Sequence, residues 1–138
     1  MYTYEITIKD VIDGDTVKVD IDLGFDMWLK DENVRLYGID APESRTSDPE
    51  EKVFGLMTKH EVERLLPIGT KHTLICQEYK GKFGRVIGTI IVEGEKRFNL
   101  NDYLVDNRLA VVYNSTLNRE QLAPFHELNR KYLRENRK

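Results

Sequence analysis

Asp15, Arg35, Asp40, Glu43 and Arg85 are side chains that could together handle a phosphoryl group. Asp15 stands in "DGDT" and shares the strand parity of Val17, Val19 and Ile21, the apolar face of the following segment. It should therefore point inward, and an inward carboxylate is costly unless it is paired or holds a metal. "VRLYGIDAPESR" (34–45) ends a strand with Asp40, where a neighbouring strand could bring it close to Asp15. Two carboxylates meeting there repel, and a divalent cation between them would remove the conflict. Oxygen ligands, with no paired His and no Cys pair, point to calcium or magnesium rather than zinc. Arg35 leaves its strand on the side opposite Val34 and Leu36, and Arg85 opens a later strand. Two arginines near a carboxylate-bound cation form a clamp suited to a phosphoryl group. Glu43 is one carboxylate more than the cation needs, and could activate a water as general base. Each piece alone has a plainer reading. Asp-Gly-Asp is a turn, Arg35 a surface strand residue, Glu43 a solvated loop acid, and Lys80 and Lys82 solubilising charges. The order of all of them together favours a site.

The elements that must position these residues follow from periodicity. "YEITIKD" and "TVKVDID" alternate with period two around the Asp13-Gly14 turn, which predicts a hairpin. "GFDMWLKDE" (24–32) reads as a polar loop and "NVRLYGI" as a third strand. Residues 48–69 carry helix punctuation: Asp48 as N-cap, Pro49 in the first position, Glu51 as capping-box acid, and Pro67 and Gly69 at the end. "HTLICQEY" and "RVIGTIIVEG" are two more strands, and "EGEK" can turn the second back into a short one. "LNDYLVDNRLA" predicts a short helix. The stretch 117–137 predicts a longer helix with Leu122, Phe125, Leu128 and Tyr132 on one face, and Pro124 marks a kink or a late start.

Five strands with one helix between the third and fourth fit an OB-type five-stranded barrel with three helices; an open α+β sheet is the rival. At 138 residues the chain is expected to be one domain, residues 1–138. Hydrophobic residues make up 40% and charged residues 33%, which excludes disorder. No apolar run approaches the ~20 residues of a membrane span, so no membrane partner is expected. The first residues lack a signal-peptide pattern, although a leader trimmed from the chain would leave the same start. The single cysteine, Cys76, lies in an apolar stretch and reads as a buried, inert thiol. The formal net charge of −3 argues against nonspecific polyanion binding. Residues 78–85 and the C-terminal helix are locally basic, and the helix charges read as a solvated face.

The blocks "VIDGDTVKVD" (11–20), "VRLYGIDAPE" (34–43) and "GKFGR" (81–85), and more weakly "LNDYLVDNRLA" (100–110), resemble the staphylococcal-nuclease-like (thermonuclease) family in order and register. That resemblance implies an OB-fold barrel with three helices. It also implies a calcium-dependent nuclease that cuts DNA and/or RNA to leave 3′-phosphate ends. Carried over by motif, it makes Asp15 and Asp40 calcium ligands, with the carbonyl of Ala41 a third. Arg35 and Arg85 become the phosphate clamp and Glu43 the base. Lys82 would contact a neighbouring phosphate, and Phe83 and Tyr113 would stack on bases. The chain departs from the family pattern at Gly81, where an acid is usual. Phe83 stands in place of a tyrosine, which keeps stacking but loses a hydroxyl. The expected substrate is single-stranded nucleic acid, cut by a monomer. The rival functions are a catalytically weak or inactive nuclease-like module that binds nucleic acid or protein, and a plain OB-fold binder that needs no carboxylate cluster.

Overall fold

The computed structural model describes residues 2–79, 84–114 and 116–136. Among the described residues, eight strands and three helices run in the order β1 (Tyr2–Asp13), β2 (Thr16–Gly24), β3 (Met27–Leu36), β4 (Ile39–Asp40), α1 (Pro49–Leu65), β5 (Lys71–Glu78), β6 (Val86–Val92), β7 (Phe98–Asn99), α2 (Leu100–Asp106), β8 (Val111–Val112) and α3 (Arg119–Glu135). The large sheet has the order β3-β2-β1-β5-β6-β7. A parallel pairing of β3 with β6, Val34 opposite Val86 and Leu36 opposite Gly88, joins its two sides. Five strands thus close into a barrel, and the open-sheet rival is set aside. Closure leaves the last residues of β3 paired on both sides, with β2 and with β6.

The alternating apolar residues face inward as their period requires. Ile6, Ile8, Val17, Val19, Val34, Leu36, Leu74, Val86 and Ile90 are all fully or almost fully buried. Burial of each such side chain stabilises the fold by about 1.5–3 kcal/mol. α1 falls between the third and fourth barrel strands, as expected, and Asp48 caps it by accepting from the amides of Glu50 and Glu51. α2 is pinned by Asn101, whose buried side chain donates to the carbonyls of Tyr37 and Gly88 at 2.9 and 3.2 Å and accepts from Ile90 N. These bonds tie the residue that follows β3 to β6. Among the described residues no helix is long and apolar enough to cross a membrane.

Several expectations change. Most of 24–32 is strand, not loop: β2 and β3 pair out to Gly24 and Met27 around a turn at Phe25 and Asp26. Both turn residues have positive φ, 54° and 61°, which a two-residue hairpin turn demands but which a Phe gives no sign of adopting. β4 and β8 form a two-residue ribbon, Ile39 opposite Val112 and Asp40 opposite Val111, too short to show a period. Cys76 is half-buried rather than buried, and its partial burial pushes the thiol upward, which keeps it unreactive. α3 begins at Arg119, capped by a reciprocal Asn118–Gln121 box, and carries Pro124 inside it. Of its apolar positions only Leu122 is buried, while Phe125, Leu128 and Tyr132 are largely exposed.

Candidate active site

The mouth of the barrel opens into a cleft of about 1000 Å³. Asp15, Arg35, Asp40, Ala41, Glu43, Arg85 and Tyr113 all line it. Lys82 and Phe83 lie outside the described residues. Asp15 ends the turn between β1 and β2, Arg35 lies in the last turnings of β3, and Asp40 is the second residue of β4. The main-chain bond from Leu36 N to Asp15 O, 2.8 Å, fixes the turn against the strand that carries Arg35.

Arg35 is the centre of the arrangement. Its Nη1 lies 3.4 Å from Asp15 Oδ2, and its Nη2 donates to Asp40 Oδ1 at 3.2 Å. Nη1 also donates to the carbonyls of Ile39 at 2.9 Å and Leu36 at 3.3 Å. One guanidinium therefore gathers two carboxylates and the backbone that joins them. The Tyr113 ring stands 5.9 Å from its Cζ, a position Tyr113 reaches because its amide bonds Gly38 O beyond β8. The side chains of Arg35 and Asp15 are only 15% and 13% exposed. Burial pushes the Asp15 carboxyl above its ordinary range, against the opposing pull of Arg35 and of the Ala41 amide, which donates to Oδ2 at 3.0 Å. A buried carboxylate with a raised pKa and an acidic neighbour is a group that a cation would stabilise.

Asp15 and Asp40 meet on the same guanidinium, and both offer hard oxygen donors suited to calcium or magnesium. Ala41 meets Asp15 through its amide in this structure, so its carbonyl is the group left for a cation. Among the described residues no three His, Cys, Asp or Glu side chains converge as a metal site. Asp15, Asp40 and the Ala41 carbonyl are the oxygen donors that the site offers to a cation.

α3 brings groups that the sequence reading left on a solvated face. His126 Nε2 bonds Asp40 Oδ2 at 2.8 Å, and the His126 side chain is 12% exposed. Arg119 pairs with Glu43. Arg130, only 17% exposed, bonds Glu50 at 3.3 Å and also lines the cleft. Arg45 and Glu51 join them, Glu51 from the first turn of α1. Helical spacing placed His126 and Arg130 four apart on one face, together with Arg119 about two turns earlier; that was the available signal. Nothing in the spacing says that this face turns toward residues 40–50.

A model of the staphylococcal nuclease homologue family matches residues 33–136. The chain belongs to that family. The match takes in Arg35, Asp40, Glu43 and Arg85 but starts after Asp15. Among its relatives, "Endonuclease YhcR" of Bacillus subtilis (strain 168) is 29% identical over 116 residues, 80% of this chain and 9% of that protein. "Thermonuclease" of Staphylococcus intermedius is 30% identical over 93 residues, 67% of this chain and 51% of that protein. The chain thus spans about half the length of one relative and about a tenth of the other.

The loop that carries Glu43 rests on a glycine of α1. Gly55 is buried, and a Cβ there would lie 2.7 Å from Ser44 N and closer still to the Glu43 carbonyl. Both neighbours are backbone and cannot swing away. Gly55→Ala gains up to about 1 kcal/mol of helix propensity. The clash outweighs it, since overpacking a tight contact costs about 1–3 kcal/mol. Urea unfolding should show the variant less stable, and its Glu43 loop should be displaced. An alanine variant as stable as the parent would mean that the loop is not held there.

Proposed function

We propose that this chain is a calcium-dependent nuclease acting on single-stranded DNA or RNA, as one domain and as a monomer, and leaving 3′-phosphate ends. The observation that carries the reading is the meeting of Asp15 and Asp40 on Arg35, 3.4 and 3.2 Å away, in a cleft that Glu43 and Arg85 also line. Membership of the nuclease homologue family and the names of the two relatives support it.

The residues divide the work as follows. Glu43 takes a proton from a water in the cleft, and the water oxygen attacks phosphorus in line. The bond from phosphorus to the 5′-oxygen breaks, that oxygen leaves as a hydroxyl after taking a proton from solvent, Glu43 returns its proton to solvent, and the 3′-oxygen keeps the phosphate. Arg35 and Arg85 hold the negative charge that gathers on the phosphoryl oxygens. Asp15, Asp40 and the Ala41 carbonyl would hold calcium, which supplies further stabilisation of that charge. Tyr113, beside Arg35, offers a ring for a base to stack on. Lys82 and Phe83 would extend the strand contacts.

Two carboxylates and a carbonyl make a sparse ligand set, so calcium should bind weakly, toward the ~10⁻⁴–10⁻³ M end of calcium affinities. Cleavage of a labelled single-stranded oligonucleotide should need millimolar-range calcium and stop in chelator. Magnesium, stricter about octahedral geometry, should support it poorly. Full activity in chelator would dispose of the calcium mechanism.

One observation favours a second reading. Arg119 and His126 already occupy Glu43 and Asp40. A module that keeps its site closed in this way would bind nucleic acid or protein without cutting. The same incubation decides, because such a module shifts the oligonucleotide in a gel and leaves it whole with calcium present.

A further inference from the structure

Arg119 is the first residue of α3, and its guanidinium reaches across the cleft to the Glu43 carboxylate. The Arg119 side chain is 78% exposed and that of Glu43 41%. A pair so open to water contributes little to stability, so a competing anion takes the arginine at small cost. The wall on which Arg119 stands has other fastenings: His126 bonds Asp40 at 2.8 Å, and Asn129 donates to Ala110 O at 3.2 Å. Arg119 therefore keeps its place at the cleft when its own pair opens. Arg35 is assigned above to the phosphate being cut, so a flanking phosphate needs another cation.

We propose that Arg119 is a specificity-determining residue that exchanges Glu43 for a substrate phosphate flanking the one being cut. This rests on the nuclease reading above and names the substrate feature that the site selects. A guanidinium offers carboxylate and phosphate the same two-pronged fork, so the exchange replaces one charged pair by another of the same kind. The exchange leaves the Glu43 lone pairs available for the proton of the attacking water. A substrate with a flanking phosphate thus gains a contact and releases the base in one step. A substrate with a single phosphodiester does neither, and meets Glu43 still tied to Arg119. Sequence places the arginine 76 residues from the glutamate, on a helix that reads as solvated; only the fold brings them together.

The test compares a dinucleotide with one phosphodiester and a labelled oligothymidylate of about eight nucleotides. Each is cut by the parent, Arg119→Gln and Arg119→Lys in calcium. For the oligothymidylate, Arg119→Gln should raise KM by about tenfold, equivalent to ~1.4 kcal/mol, with kcat within about twofold of the parent. For the dinucleotide it should leave KM unchanged and raise kcat several-fold, because Glu43 is no longer held. Arg119→Lys keeps the charge without the fork and should fall between. Equal changes on both substrates, or none on either, would overturn the proposal. A second readout needs no cleavage. Fluorescence anisotropy of the oligothymidylate in chelator should show the slope of log affinity against log salt falling by about 0.7 in Arg119→Gln, one phosphate contact on a single strand. An unchanged slope also overturns the assignment. If the parent cuts neither substrate, the nuclease reading fails and the salt slope alone decides whether Arg119 holds a phosphate.

Discussion

Arg35→Ala is expected to cost both the activity and a large part of the fold's stability. Loss of an arginine that holds transition-state charge slows phosphoryl transfer by roughly 10²–10⁵. Arg35 is also the group that gathers Asp15, Asp40 and the carbonyls of Leu36 and Ile39. Its removal leaves two neighbouring carboxylates without their common counter-charge, one of them 13% exposed. Removing one partner of a buried pair destabilises by about 3–5 kcal/mol, because the other charge stays buried. Lysine restores one charge but not the fork, and a single ammonium cannot reach four acceptors, so Arg35→Lys should recover little. Arg85→Ala should show the same loss of turnover and serves as the comparison. Activity must be read at a temperature where circular dichroism shows Arg35→Ala still folded. A loss below about tenfold in the folded variant would remove Arg35 from the chemistry, since that is little more than 1 kcal/mol of barrier.

How far the site could be read before the structure depends on how each residue is positioned. Arg35 and Asp40 sit at a fixed spacing on one strand and the short ribbon that follows, so local sequence carries their relation. Asp15 joins them through the β2–β3 pairing, Thr16 opposite Arg35, which follows from hairpin order. Its inward direction follows from parity. Tyr113 depends on the two-residue pairing of β4 with β8, which has no period to detect, and so its place beside Arg35 was open until the fold was known. The contribution of α3 was not legible. Amphipathic spacing identifies a helix but not the direction its polar face takes against elements 70 or more residues away. The apolar residues Phe125, Leu128 and Tyr132 suggested a face packed on the core, yet all three are exposed, while Leu122 is buried and His126, Asn129 and Arg130 make polar contacts to Asp40, Ala110 and Glu50. The hairpin end failed for a different reason. Its turn is built on Phe25 and Asp26 in left-handed conformations, without the Asn-Gly or Asp-Gly pair that marks such turns.

Asp15→Asn should abolish calcium-dependent cleavage and leave the calcium-free protein at least as stable as the parent. Asp15 is the most enclosed acid of the site, and burial is the largest influence on its carboxyl, raising its pKa. A carboxyl whose folded pKa lies above its unfolded value binds protons more tightly when folded. Its stabilising contribution is complete below the unfolded pKa, near 3.9, and is lost as pH rises through the folded value. Above the folded value the ionised Asp15 is therefore a burden on the metal-free fold, only partly offset by Arg35 and the Ala41 amide. Asparagine removes the charge and keeps an oxygen for the Ala41 amide, 3.0 Å away in the parent. Arg35 keeps Asp40 and its two carbonyls. The variant should melt at the parent's temperature or above it, by up to ~1–2 kcal/mol, the usual size of gains from relieving a functional site. The advantage should shrink in acid, where the parent's Asp15 is protonated and the two proteins differ little in charge. Added calcium should raise the parent's melting temperature and leave the variant's unchanged, because only the parent retains both carboxylate ligands. A structural role predicts the reverse on every count. If Asp15 serves the fold by pairing with Arg35 and closing the β1–β2 turn, asparagine lowers the melting point in chelator, most at neutral pH, and cleavage survives. Thermal melts across pH, with and without calcium, beside one cleavage assay, separate the two roles.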